Sequence, residues 1–291
     1  MRSNQSKAIF FAVLAALLYA INSPLSKLLL AEVPATMMAA FLYLGAGLGL
    51  FLVGQVQKRT GRAPDEQPLT RKELPFTVAM VVLDIAAPIF LMVGLTMTTA
   101  ANASLLNNFE IVATSLIALG IFKEKISPRL WLAIGLVTLS SLILSVEDLG
   151  SFRFSLGSVF VLLACVCWGF ENNCTRMLSS KNPREIVVIK GFGSGLGALV
   201  IALLSGEHLP GMGYILGALL LGFVAYGLSI LFYIYAQRDL GAAKTSTYYA
   251  VAPFLGVILS LILFRQMPPA SFFVALVIMI AGTYFASTDP A

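Results

Sequence analysis

Apolar residues run through this chain in long unbroken stretches, separated by short polar segments. The stretches fall at residues 8–30, 36–57, 74–97, 99–121, 129–146, 155–178, 184–205, 212–236, 241–264 and 270–287. A helix crosses the hydrocarbon of a bilayer with about 20 apolar residues, so each stretch is long enough to span it. Strands of a membrane barrel would alternate apolar and polar positions with period two, and these runs do not. The pattern predicts an all-α integral membrane protein with ten transmembrane helices. Composition agrees: 58% of the residues are hydrophobic, 11% are charged, and the mean hydropathy is +0.90, where soluble domains are about a quarter charged. Connections as tight as Thr98–Ala101 leave no space for a soluble domain, and the one long connection, Gln57 to Leu74, reads as a solvated charged linker.

Charge sets the expected orientation. With the N-terminus inside, the inner segments hold Arg2, Lys7, Lys58, Arg59, Arg62, Arg71, Lys72, Lys123, Lys125, Arg129, Arg176, Lys181, Arg184, Arg238 and Lys244, against only Lys27, Arg153 and Arg265 outside. The positive-inside rule therefore places both termini in the cytoplasm of a multi-pass protein of the cell membrane. The net charge of +5 does not signal a nucleic-acid partner, because the cations are scattered between apolar runs and form no basic face. Cys165, Cys167 and Cys174 share one apolar run with no histidine nearby, which argues against a disulfide framework and a metal site. No cofactor is expected. Arg2 and Lys7 before the first run resemble the start of a signal peptide, but that run is long and nine more follow, so it is read as a mature helix.

The chain also repeats itself. A shift of 142 carries FKEKISPRLWLAIGLV, from Phe122, onto FRQMPPASFFVALVIM, from Phe264, and GLTMTTAANAS, from Gly94, onto AQRDLGAAKTS, from Ala236. A shift of 149 sets YAINSPLSKLL, from Tyr19, over WGFENNCTRML, from Trp168. Five spans per copy is an odd number, so the second copy enters the membrane from the opposite side. Residues 1–147 and 148–291 are accordingly expected to be two inverted five-helix repeats forming one transport unit, an architecture that places a binding site near the midplane. The paired aromatic-small starts (Tyr19-Ala20, Trp168-Gly169), the small-residue turn GAAKTS before the ninth span, Pro253 within it, and the interfacial turn at Lys123 and Glu124 together resemble the drug/metabolite transporter superfamily, EamA type. The resemblance covers nearly the whole chain. It implies ten helices in two inverted halves, a central cavity lined mainly by spans one, three, four, six, eight and nine, and movement of small metabolites. One departure is Gln266, where the family has a second interfacial glutamate opposite Glu124.

Charge inside a span is costly, about 2.5–3.5 kcal/mol for Asp, Lys or Arg at the centre on insertion scales. Asp84, Glu110, Glu171 and Lys190 each need a reason to be there. Residues three, four and seven apart share a helix face. On that spacing the sixth span carries Trp168, Glu171, Asn172 and Thr175, and the first carries Tyr19, Asn22, Ser23 and Ser26. The fourth carries Asn107, Glu110 and Thr114, aligned by the repeat with Tyr249, Ala252 and Gly256, while Asp84 aligns with Tyr226, which opens a stripe through Ser229, Tyr233 and Gln237. Carboxylates, amides and aromatic rings together suit a small cationic or zwitterionic solute, since ring faces attract cations within about 6 Å. Tyr19, Asn22, Asp84, Asn107, Glu110, Trp168, Glu171, Asn172, Tyr226, Tyr233 and Tyr249 are the expected substrate-binding residues, with Asp84 and Glu171 foremost. Interhelical hydrogen bonding is the competing role for the asparagines, and Lys190 either snorkels or pairs with Glu171. Lys27 and Arg176 are expected to be interfacial anchors. Pro24 and Pro88 are expected to kink their helices, and the glycines Gly45, Gly49, Gly191, Gly193, Gly195 and Gly197 to bring helices close.

The expected function is a secondary transporter of a small polar or cationic metabolite, an amino acid or organic cation; the family resemblance alone favours a proton-coupled exporter over an uptake system. Its other partners are membrane lipids, and its oligomeric state is not legible. An intramembrane enzyme would need a nucleophile and base or a metal pair, and the sole histidine, His208, lies in an outer loop beside Glu207. A non-transporting membrane protein would not explain the buried charge.

Overall fold

The computed structural model describes residues 2–61, 66–121, 123, 126–148 and 153–288. Among them, nine helices are long and apolar enough to cross a membrane, and the shorter apolar helix Ala252–Phe264 completes a tenth pass. The first span is Arg2–Ala20 followed by Asn22–Leu29, the second Ala35–Arg59, the third Leu74–Met97, and the fourth Ala100–Leu106 with Phe109–Gly120. Pro128–Ser145, Leu156–Leu178 and Pro183–Leu204 are the fifth, sixth and seventh. The eighth begins with Met212–Leu221 and a π-helical segment, Gly222–Leu228, and the tenth is Ala270–Ser287. A short antiparallel pairing of Val146–Asp148 with Arg153–Phe154 joins spans five and six. Large apolar side chains such as Phe10, Leu204, Leu220 and Val277 project from the bundle, as helices facing lipid require.

The turn expected before the ninth span takes an unexpected form, since Ser229–Tyr249 is helical throughout. The chain nevertheless reverses within this stretch. Tyr233 and Tyr249 are sixteen residues apart, about 24 Å on a straight helix, yet their ring centroids lie 4.9 Å from each other. The eighth span therefore ends, and the ninth begins, between these two tyrosines. The expected turn at Glu124 lies outside the described residues.

Three spans are broken at mid-membrane, and sequence explains where. Proline has no N–H to give to the carbonyl four residues earlier. Pro24 thus has no bond to offer Ala20, where the first span's leading helix ends, and Pro253 has none for Tyr249, where the helix before Ala252–Phe264 ends. Pro88 does the same to Asp84 inside an unbroken helix. The fourth span breaks at Asn107-Asn108, whose side chains compete with helical backbone bonding.

Packing follows a pattern in which each pair of spans has a counterpart five spans on. The first span lies against the eighth as the third lies against the sixth, and the first touches the ninth as the sixth touches the fourth. The second span packs on the eighth and the seventh on the third, while second–seventh, fourth–ninth and fifth–tenth are each their own counterpart. Glycine makes the closest of these contacts. A Cβ on Gly45 would sit 2.0 Å from the Leu219 carbonyl oxygen, one on Gly222 2.0 Å from that of Leu42, and one on Gly191 2.3 Å from the Gly47 backbone. The long loop also differs from a free linker. Leu69 N donates to Glu185 (3.0 Å), Asn182 N donates to the Gln67 carbonyl (2.8 Å), and Arg238 pairs with Glu66 (2.6 Å).

Candidate functional site

The broken and strained segments meet around one cavity of about 130 Å³. Ligand pockets commonly measure roughly 300–1,000 Å³, so this one suits a small solute. Tyr19 lies two residues before the first-span break at Ile21. Asn107 and Asn108 are the fourth-span break, and Tyr249 and Ala250 border the ninth-span break. Tyr226 belongs to the π-helical segment of the eighth span, a distortion that recurs at functional sites.

Of the eleven residues singled out in the sequence, ten line this cavity: Tyr19, Asp84, Asn107, Glu110, Trp168, Glu171, Asn172, Tyr226, Tyr233 and Tyr249. Asn22 does not. It stands behind the wall, where its Nδ2 donates to the Tyr226 hydroxyl (3.3 Å) and its Oδ1 accepts from Ser26 (3.1 Å). Tyr43, Asn108, Thr175 and Lys190 also line the cavity. Tyr43 and Asn108 escaped the sequence argument for different reasons. Tyr43 is the one polar residue between Met37 and Gly54 of the second span, and the repeat shifts gave it no counterpart. Asn108 neighbours Asn107 and faces the cavity only because the helix breaks there.

The charged residues form two groups. Lys190 Nζ lies 2.7 Å from Glu171 Oε1 and 3.1 Å from Asp84 Oδ2, all three side chains being at most 5% exposed. Tyr43 donates its hydroxyl to Asp84 Oδ1 (2.8 Å), and Thr175 donates to Glu171. Asp84 Oδ2 is close to the ammonium but out of line for a hydrogen bond. This resolves the two roles open for Lys190: it pairs, with both carboxylates. Glu110 stands apart, with no cation at ion-pair distance among the described residues and one neutral partner, Asn172, whose Nδ2 donates to it.

Five tyrosines form a continuous part of the wall. Ring centroids step from Tyr43 to Tyr226 (5.1 Å), to Tyr19 (6.0 Å), to Tyr249 (5.8 Å) and to Tyr233 (4.9 Å). The ladder begins at Asp84, through Tyr43, and crosses spans two, eight, one and nine. Its rings meet at tilted and edge-on angles, as aromatic quadrupoles prefer.

The other polar residues divide by partner. Asn102 Nδ2 donates to Thr98 Oγ1 (3.0 Å), Ser158 Oγ (3.1 Å) and the Leu144 carbonyl (3.3 Å), tying spans four, five and six. Asn173 Nδ2 donates to the carbonyls of Gly169 (2.8 Å) and Thr114 (3.3 Å). Lys27, expected at an interface, donates to the carbonyls of Leu95 and Thr98 (2.9 Å for the latter), the end of the third helix, where a cation meets the negative pole of the helix dipole.

Lys27 also borders a second cavity, of about 630 Å³, with Asn102, Ser260 and Phe264. The short helix Ala100–Leu106 runs between the two cavities, a separation of about 10 Å along its axis. Its contact with the ninth span is tight: a Cβ on Gly256 would come 2.8 Å from Ser104 Oγ and 3.2 Å from the Ala20 carbonyl oxygen.

Comparison with known proteins agrees with this architecture. An uncharacterized transporter of Methanothermobacter thermautotrophicus is 26% identical over 278 residues, covering 87% of this chain and 78% of that one. A protein of known crystal structure superposes over 97% of this chain and 96% of its own with a TM-score of 0.67 at 16% identity, a likeness of fold alone. The model of the EamA-like transporter family matches twice in succession, over residues 6–146 and 155–288. With both matches together spanning nearly its whole length, the chain belongs to the EamA-like transporter family.

Proposed function

We propose that this multi-pass membrane transporter is a secondary exporter of a small cationic or zwitterionic metabolite, an amino acid or organic cation, coupled to protons and working by alternating access around the central cavity. The observation that carries this reading is the convergence of Glu110, Asp84 and Glu171 with the tyrosine ladder in one small cavity. Three carboxylates face one ammonium there, so a positive charge on the solute would be welcome. A proton taken up by a carboxylate would serve the same electrostatic need, which makes solute and proton natural competitors.

Alternating access is supported by the paired packing of the spans and by the two successive family matches, which suit two inverted repeats at about residues 1–147 and 148–291. The two cavities on either side of the Ser104–Gly256 contact would be the inner binding site and a vestibule closed off from it. The distribution of cations favours cytoplasmic termini in the cell membrane.

Reconstitution into proteoliposomes, with a panel of amino acids and organic cations offered with and without a pH gradient, tests the proposal. Movement of a cationic or zwitterionic solute, accelerated by an opposing proton gradient, is the expected outcome. Movement of anions alone would overturn the choice of solute, and rates indifferent to the proton gradient would overturn the coupling.

A further inference from the structure

The sequence directs attention to Asp84 and Glu171, but the structure pairs the charge of those two carboxylates with Lys190. A second set of poorly met groups lies in the fourth span, at three of the four positions from Asn107 to Glu110. Among the described residues Asn107 Oδ1 and Asn108 Oδ1 have no hydrogen-bond partner, and their residues are 6% and 2% exposed. Asn108 spends its Nδ2 on the Leu105 carbonyl (3.3 Å), which leaves its oxygen as the free end. Glu110 follows two residues later with Asn172 as its one partner. All three line the central cavity. They reach it because the helix breaks at Asn107-Asn108; on an unbroken helix adjacent residues point about 100° apart and would not share a wall so readily.

The two buried amide oxygens and the Glu110 carboxylate are acceptors. A buried acceptor without a donor is expensive in a low dielectric, and a solute bearing N–H groups relieves it. A carboxylate placed against this stretch would meet the like charge of Glu110 and the two amide oxygens. A quaternary ammonium would be attracted to the tyrosine faces but has no hydrogen to give to either amide oxygen. Deepening the transporter reading above, and resting on it, we propose that the solute is a protonated primary or secondary amine. Its N–H donors sit on Glu110 and the amide oxygens of Asn107 and Asn108, while Asp84, Lys190 and Glu171 remain a self-paired group beside it.

The test uses the purified full chain in lipid nanodiscs and matched probes that differ only in donors: ethanolamine against choline, and tyramine against its N,N,N-trimethyl derivative. Binding is read by thermal shift and by titration calorimetry. Each primary amine is expected to bind at least tenfold more tightly than its trimethyl counterpart. Glu110→Gln and Asn107→Leu should each weaken the amine at least tenfold, while Glu110→Asp, which keeps the charge, retains most of the affinity. The melting temperature without solute reports whether each variant is folded, and the comparison on the unaltered protein stands without any variant. Equal affinity for amine and quaternary probe, an unchanged amine affinity in Glu110→Gln, or no response to any of the four probes would overturn the inference. Proteoliposomes separate the two levels: transport of choline but not ethanolamine refutes the donor rule and keeps the cationic transporter, whereas transport of anions alone refutes both.

Discussion

Lys190 carries one charge between two buried carboxylates, and its removal defines what the triad does. Breaking a buried ion pair by deleting one partner typically costs about 3–5 kcal/mol, because the remaining charge loses its compensation. Lys190→Met is therefore expected to lower the melting temperature sharply, and Lys190→Met combined with Glu171→Gln to recover a large part of the loss. Thermal unfolding of the single and double variants in detergent measures this; a double variant no more stable than Lys190→Met would mean that the triad is not an electrostatic unit. At this scale the sequence was informative about which residues mattered and less so about how. Helical spacing brought Glu171, Asn172 and Trp168 to one face, and the cost of intramembrane charge marked Asp84 and Lys190. The pairing itself was not legible, because Asp84, Glu171 and Lys190 come from three different spans whose rotation no single-span pattern specifies. Asn22 shows the same limit, since its spacing was right and its neighbour Tyr226 stands between it and the cavity.

Among elements, the breaks matter most. Prolines at 24 and 253 announce two of them, and the Asn107-Asn108 pair the third, but the π-helical segment Gly222–Leu228 has no such marker in its sequence. The helix ends carry a second signature. Among the described residues, the two non-glycine positions with positive φ are Lys123 (58°) and Arg265 (51°), each following a ninth- or fourth-span helix and separated by the same 142 residues that relate the repeats. A left-handed conformation costs an L-residue about 1–2 kcal/mol and is harder still for a β-branched one. Arg265→Val is expected to destabilise by about 1–2 kcal/mol and Arg265→Gly to be neutral or stabilising by up to about 1 kcal/mol. Thermal denaturation of the two variants side by side decides; equal effects would mean that the conformation is not imposed by the fold. The closeness of Tyr233 and Tyr249 agrees with the reversal that the small residues of GAAKTS lead one to expect between the eighth and ninth spans.

For the molecule as a whole, hydropathy set the number of passes, while which spans face each other came from the structure. The second, seventh and eighth spans interlock through glycines so closely that any side chain would collide with backbone. The fourth and ninth pack along each other with a glycine facing a side chain, Gly256 against Ser104, between the two cavities. The backbone-to-backbone interface suits a fixed support, and the contact through a serine side chain suits a moving one. What sequence could not convey was cavity size and the layer dividing the cavities, since both depend on sub-ångström fits between distant segments. Access to the central cavity from both sides of the membrane in turn is the core of the account. The direct measurement replaces Cys165, Cys167 and Cys174, introduces Ala250→Cys at the cavity wall, and follows labelling by a membrane-impermeant thiol reagent applied to each side of sealed vesicles. The account predicts labelling from either side, protection by a transported solute, and faster labelling from the side of the larger cavity when Gly256→Ala wedges the Ser104 contact apart. Labelling confined to one side under every solute and pH gradient would contradict it.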